Sequence, residues 1–436
     1  MKKTWICIGV CAVLTACGGG GGDNSGTTAS SGGASGTTSG TSGGTAGGTA
    51  TQATAQPLAA QQTYIGSVSF GDTISVQIDA PAKGQVTTTF VSSKFGLSGK
   101  LVGSYTVTNG NYVVSGFQAS GTVPATLSAG ASAVGMQFTV TADASNHGVL
   151  TGQLSGVPNV SAGSGLLAGQ VTASNNGVTT VSSLAGTYSF IKLSGDYSSN
   201  GVPVGSQDVD SGQLRINADG SLRVCLSAPY SDSCMDDANP KVANTGSISV
   251  DPDQTTYPGA FDMTINGAPY GRMFVSTSGG NNTIMLDQAS TNSGGTTRTG
   301  AWVLQSTAAL TSGSYDGTWT CSEPNTNDND QLLGNIIAST VTISGTTLTP
   351  SGTTASPMTL NLNSTFNAAL STTTPTYANG VNGLMAGLLP NVSNGKLVQS
   401  TMVFLPVSST NLYYIDEPNA DGFFVQGLCT KQVEAK

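Results

Sequence analysis

Apolar and polar residues alternate with a period of two at several places in this chain. Phe261, Met263 and Ile265 are separated by Asp262 and Thr264, and the run then meets Asn266-Gly267-Ala268-Pro269 before resuming from Tyr270 to Ser276. Such alternation places one face of a strand on a core and the other in water. Asn-Gly tolerates the positive φ of a tight hairpin turn. The same arrangement brackets Ala218-Asp219-Gly220, with strand patterns over Gly212 to Asn217 and Ser221 to Leu226. Further Asn-Gly pairs begin at Asn109, Asn176, Asn200, Asn379, Asn382 and Asn394, and Asp-Gly pairs at Asp316 and Asp421. No long stretch carries a 3.6-residue period, and the best helical candidate, Val381 to Leu389, is interrupted by Gly383 and Gly387. The expected fold class is all-β: two or three antiparallel β-barrel or β-sandwich modules.

Composition sharpens this expectation. Charged residues are 8% of the chain while Gly contributes 59 residues, a balance poor in the Glu, Lys and Arg of exposed helices. Glu occurs only at Glu323, Glu417 and Glu434, and the remaining acids are Asp, a turn and cap residue. The formal charge is −9, so no basic stripe exists to displace counterions from phosphates, and a nucleic-acid partner is not expected.

The N-terminus supplies an address. Lys2 and Lys3 precede an apolar stretch from Trp5 to Leu14, then Leu14-Thr15-Ala16-Cys17. A basic start and an apolar run make an export signal, and the run is too short for a membrane-spanning helix, which needs about 20 residues. With its final four residues this segment resembles a bacterial lipoprotein signal. The resemblance implies removal of residues 1–16 and lipid on Cys17, which becomes the first mature residue. The membrane is then a partner through that lipid. Gly18 rather than Asp follows the cysteine, which in this family implies the outer membrane.

From residue 17 to about 60 the chain is nearly all Gly, Ser, Thr and Ala. Such a segment cannot bury enough surface to offset its ordering entropy and is expected to be a disordered tether. Its root-mean-square span as a flexible coil is roughly 35 to 40 Å. A Gly-rich stretch after a lipobox resembles the tethers of surface-displayed lipoproteins of the transferrin-binding and factor-H-binding type; it would equally serve to cross the periplasm.

Three modules are expected beyond it, over 61–180, 181–310 and 311–436. Gly103-Ser104-Tyr105, Gly186-Thr187-Tyr188 and Gly317-Thr318-Trp319 each place an aromatic after Gly and a small hydroxyl residue. The second and third open their modules; the first is out of phase. These two resemble the G-x-W opening strand of lipocalin-like barrels, although the T-D-Y turn and a closing-strand Arg over the Trp are absent.

Cys7 and Cys11 leave with the signal, so Cys225, Cys234, Cys321 and Cys429 remain. An even number in an exported chain reads as two disulfides, for which three pairings exist. Joining Cys225 to Cys234 and Cys321 to Cys429 keeps each bridge inside one module, and the second would join the first and last strands of a closed barrel. The alternative, a four-thiolate zinc site, lacks any C-x2-C spacing.

Catalytic chemistry is sparse. His147 is the only histidine and sits in the turn Asp143 to Gly148, and there is no G-x-S-x-G elbow. Oxygen ligands for calcium could come from Asn325 to Asp330 or from the pairs Asp208/Asp210, Asp236/Asp237 and Asp251/Asp253, but none fits an EF-hand loop. The expectation is no metal, no cofactor and no enzyme activity. A lipid-anchored envelope protein with a binding or structural role, toward a protein or small ligand, is the first reading. A calycin-like barrel holding a small apolar ligand is the alternative, and a hydrolase built on Asp pairs or His147 is the third.

Overall fold

The computed structural model describes residues 60–432, apart from 80–83, 143–147, 176–177, 206, 237–240, 279, 293–294, 328–330, 353–355, 368–374, 394–395 and 418–422. Cys17, the Gly-rich segment before residue 60 and His147 therefore lie outside the described residues.

Three closed, eight-stranded antiparallel barrels follow one another in the chain. The first runs from strand Gln62–Val68 to strand Leu166–Ser174, and closes by pairing Ile65 with Ser174 and Val68 with Val171. The second runs from Gly186–Tyr197 to Thr297–Ser306, whose whole length pairs with its opening strand. The third runs from Gly317–Thr326 to Val425–Lys431 and closes through Trp319 to Ser322 opposite Leu428 to Lys431. Within it, Ser364–Asn367 and Thr376–Asn379 leave the barrel to form a separate hairpin. In each barrel, closure pairs the first strand with the last and so removes the free edges of an open sheet.

Local sequence accounts for the turns. Strands Phe261–Ile265 and Ala268–Ser278 join through Asn266 and Gly267, both at positive φ (50° and 78°), the backbone that Asn-Gly reaches at low cost. Val381 to Leu389 is not helical: a turn leads into strand Met385–Ser393. The one α-helix among the described residues, Ala125–Gly130, has no counterpart in the sequence reading; with the 3-10 turn Ala131–Ala133 it puts Leu127 and Ala131 into the core of the first barrel.

The repeat is clearer in space than in sequence. Tyr64, Tyr188 and Trp319 each stand third in the opening strand of their barrel, after threonine, and all are buried. Tyr105, the aromatic of the first Gly-x-aromatic triplet, belongs instead to the fourth strand of the first barrel. The shared signal is Thr-aromatic, without the glycine. Trp319 donates from Nε1 to the Tyr315 carbonyl at 3.0 Å. The Lys431 ammonium lies 5.6 Å from its ring centroid, so a lysine of the closing strand stands over this tryptophan.

Each lumen is a core of its own. Tyr112 stacks on Phe138 in the first barrel and Phe190 on Trp302 in the second, each with ring centroids 4.9 Å apart. Outer faces are buried too. Ile191, Met285 and Val303, which alternate with lumen residues of the second barrel, form one buried cluster with Val403, Leu405, Tyr413 and Ile415 on the outside of the third and with Phe366 of the hairpin. Polar contacts tie the first barrel to the others: Thr172 bonds Tyr413, Gln170 Nε2 donates to the Ser322 carbonyl at 3.0 Å, and Thr73 bonds Asp287. The three barrels form one packed body.

Two disulfides are present, Cys225–Cys234 and Cys321–Cys429. Cys321 and Cys429 lie directly opposite each other on the strands that close the third barrel.

Candidate functional site: a cleft between barrels and two charged lumens

Strand Gly186–Tyr197 shows how one face can change chemistry along its length. Its inward positions read Tyr188, Phe190, Lys192, Ser194 and Asp196, so an apolar floor gives way to a charged mouth. Register places Asp210 opposite Lys192 and Arg298 opposite Asp196. The Lys192 ammonium, on a side chain only 6% exposed, lies 2.7 Å from Asp208 and 3.1 Å from Asp210. Arg298 grips Asp196 through Nε at 2.7 Å and Nη2 at 3.0 Å, and also bonds Asp208.

Burial alone would lower the Lys192 pKa, but Tyr270, Asp210 and Asp208 outweigh it and hold the ammonium charged. For Asp208, burial is likewise overcome by Lys192 and Arg298, and its pKa falls. Asp210 has no guanidinium; burial and the neighbouring Asp208 carboxylate push its pKa up to about 7, with Lys192 opposing. The pair Asp208/Asp210 thus serves as counter-ion to a lysine rather than as a calcium site. Lys192→Met should destabilise the protein by about 3 kcal/mol at pH 8, because it leaves the buried Asp210 carboxylate without its cation while Asp208 keeps Arg298. Denaturant unfolding at pH 8 and pH 5 checks this, and the loss should shrink at pH 5, where Asp210 is protonated.

The third barrel holds a second cluster, built from a tyrosine and acids. The Tyr414 hydroxyl donates to Glu323 Oε2 at 2.8 Å, and Asp416 lies next along the same inward face. Tyr414 crosses the closing strand over Gly427, where an added Cβ would meet its ring and hydroxyl atoms at 2.1 to 2.5 Å. Gly427→Ala should therefore break this bond and cost about 1 to 3 kcal/mol by overpacking, read as a lowered midpoint in denaturant unfolding. Burial pushes Glu323 up to about 7. Asp416 is raised well above the usual carboxylate range, first by burial and then by Glu323 and Glu417.

Asp251 and Asp253, the third of the acid pairs in the sequence reading, serve local structure. Asp251 pairs with Arg272 at 2.6 Å and accepts from the Asp253 amide, and Asp253 accepts from the Thr256 amide. Asp237, Asp328 and Asp330 lie outside the described residues. Among the described residues no group of three or more His, Cys, Asp or Glu could hold a metal ion.

A cleft of about 810 Å³ opens where the three barrels meet. Phe70, Asn159 and Leu166 to Ala168 come from the first barrel, Leu193 to Tyr197, Val202, Pro203 and Gln207 from the second, and Pro324, Leu332 and Phe423 to Gln426 from the third. The Gln207 side chain stitches one wall to another, donating to the Phe424 carbonyl at 2.9 Å and accepting from the Phe424 amide. Tyr197 reaches from the second barrel to Phe95 of the first, with ring centroids 5.0 Å apart. Sequence reasoning placed no residue in this cleft.

No protein-family model matches the chain, and no curated protein matches it. Among solved structures it matches a protein of unknown function of the DUF3598 family from Nostoc punctiforme, at 13% identity and a TM-score of 0.20, over 59% of this chain and 100% of that one. A likeness this distant leaves the function of the present chain to its own residues.

Proposed function

We propose that the protein is a non-catalytic cell-envelope protein, anchored in the outer membrane by lipid on Cys17, whose three-barrel body has a binding role. The observation that carries this reading is Leu14-Thr15-Ala16-Cys17 after a basic start and an apolar run. The two disulfides support it, since such bonds persist in oxidising compartments outside the cytosol. Two or more acyl chains hold a protein on a bilayer where one does not, at about 0.8 kcal/mol per buried methylene.

An apolar ligand held inside a barrel, in the calycin manner, draws support from the Lys431–Trp319 contact. The stacked rings of Tyr112 and Phe138 and of Phe190 and Trp302 occupy the cores of the first and second barrels, which disfavours such a ligand in those two. The test is growth of the producing cells with labelled palmitate. Label should enter the wild-type protein and be absent from Cys17→Ser, which should leave the membrane fraction. Label retained by Cys17→Ser contradicts the anchor. Protease shaving of intact cells then separates surface display, where the barrels are lost, from a periplasmic role, where they survive.

A further inference from the structure

We infer that the joint between the first and second barrels is a pH-operated latch, closed while the Asp72 and Asp287 carboxyls hold protons and parted when they ionise.

Placement carries the inference. Asp72 opens strand Asp72–Ile78 of the first barrel and is 0% exposed; Asp287 stands on strand Asn281–Thr291 of the second and is 4% exposed. Thr73, next to Asp72, donates its hydroxyl across the joint to Asp287 Oδ2. Asp72 Oδ2, Asp287 Oδ1 and the hydroxyl of Ser67, which lies opposite Thr73 in register, are all buried without a hydrogen-bond partner. An ionised carboxylate buried with an unsatisfied oxygen is costly, and water would satisfy it once the joint parts. The surrounding contact is close: Ile65 clusters with Ala260 and Phe274, and a Cβ at Gly71 would meet Thr299 and Gly300 atoms at 2.0 and 2.4 Å.

The nearby cations are committed elsewhere. Arg272 lies opposite Asp287 on one side and Asp262 on the other, but its Nε bonds Asp251 at 2.6 Å and its guanidinium stacks on the Tyr257 ring. Lys94 donates its backbone amide to Asp72 Oδ1 at 3.1 Å, while its side chain belongs to an exposed residue; Ser93 also bonds Asp72. Tyr197 of the second barrel faces Asp72, which adds to burial in keeping the phenol protonated. Among the described residues neither carboxyl forms an ion pair.

Burial raises Asp287 to about 6 and Asp72 well above the usual carboxylate range. Protons are then held more tightly in the closed joint than in the parted one, so rising pH favours parting. Against a solvated value of about 4, Asp287 alone shifts the opening equilibrium about tenfold between pH 5 and pH 8.

The test uses the full chain with Cys7→Ser, Cys11→Ser and Cys17→Ser, in which the other four cysteines are bridged. Ser67→Cys then probes the joint and, in a second protein, Ala173→Cys probes the core of the first barrel. Each thiol is reacted with dithiodipyridine at pH 5 and pH 8, and its rate is divided by that of a free cysteine peptide at the same pH. The Ser67→Cys ratio should rise about tenfold or more with pH. At pH 8 it should clearly exceed the Ala173→Cys ratio, because parting the joint leaves the barrel folded. Adding Asp287→Asn should reduce the rise, adding Asp72→Asn as well should abolish it, and Glu323→Gln in the third barrel should leave it intact. A Ser67→Cys ratio independent of pH, equal to that of Ala173→Cys at pH 8, or rising as before in both Asp→Asn variants would overturn the proposal.

Discussion

Replacing Cys321 and Cys429 together by alanine is expected to cost about 4 to 5 kcal/mol of unfolding free energy. In the chain-entropy account, a bridge stabilises by restricting the unfolded chain, and the restriction grows with the loop it closes. Here 108 residues of sequence separate the two cysteines. The pair also sits where the first and last strands of the third barrel meet, a contact of high sequence separation that forms at the greatest entropic cost. The Cys225–Cys234 bridge spans only nine residues, so the same relation gives about 2.5 kcal/mol. Denaturant unfolding of the two double-alanine variants checks the ordering; equal losses would mean that strain or residual structure outweighs loop length.

The second large effect is on pH. Glu323 is raised to about 7 and Asp287 to about 6, both first by burial, and Asp72 and Asp416 are raised well above the usual range. Asp72 and Asp287 also repel each other where the first barrel meets the second. A carboxyl whose folded pKa exceeds its unfolded value binds its proton more tightly when folded. Its contribution is therefore complete below about pH 4 and is lost as pH rises through the folded pKa. Asp196 and Asp208 are lowered and act the opposite way, but they titrate below this window. Stability should thus fall from pH 5 to pH 8. Glu323 alone should account for roughly 3 kcal/mol of that fall, since each tenfold difference in proton affinity between the folded and unfolded chain is worth about 1.4 kcal/mol. Thermal unfolding across that range measures it. Glu323→Gln should flatten the slope, and a slope unchanged by this variant would show that Glu323 is ionised in the folded state.

How much of this was legible beforehand depends on whether the signal is local. The hairpin at Asn266-Gly267 is local and was legible, as were the all-β class and the bridge that closes the third barrel. Tyr64 escaped the Gly-x-aromatic pattern because its strand opens Gln62-Thr63 rather than Gly-Thr. The covered outer faces had a readable trace. Trp302-Val303-Leu304 and Leu412-Tyr413-Tyr414-Ile415 are unbroken apolar runs, and a strand without alternation is one buried on both sides. The partnership of Lys192 with Asp208 and Asp210 needed the register of two strands, which spacing in sequence does not give. The cleft was the least accessible. Gln426, Val202 and Leu166 belong to three barrels, and only the docking of those barrels brings them together.

Intact-mass analysis of the protein extracted from membranes tests the central claim most directly. The expected result is a mature chain that begins at Cys17 and carries the added mass of a diacylglyceryl group, with or without a further acyl chain on its amine. A chain that retains residues 1–16, or that starts at another residue with no lipid mass, contradicts it.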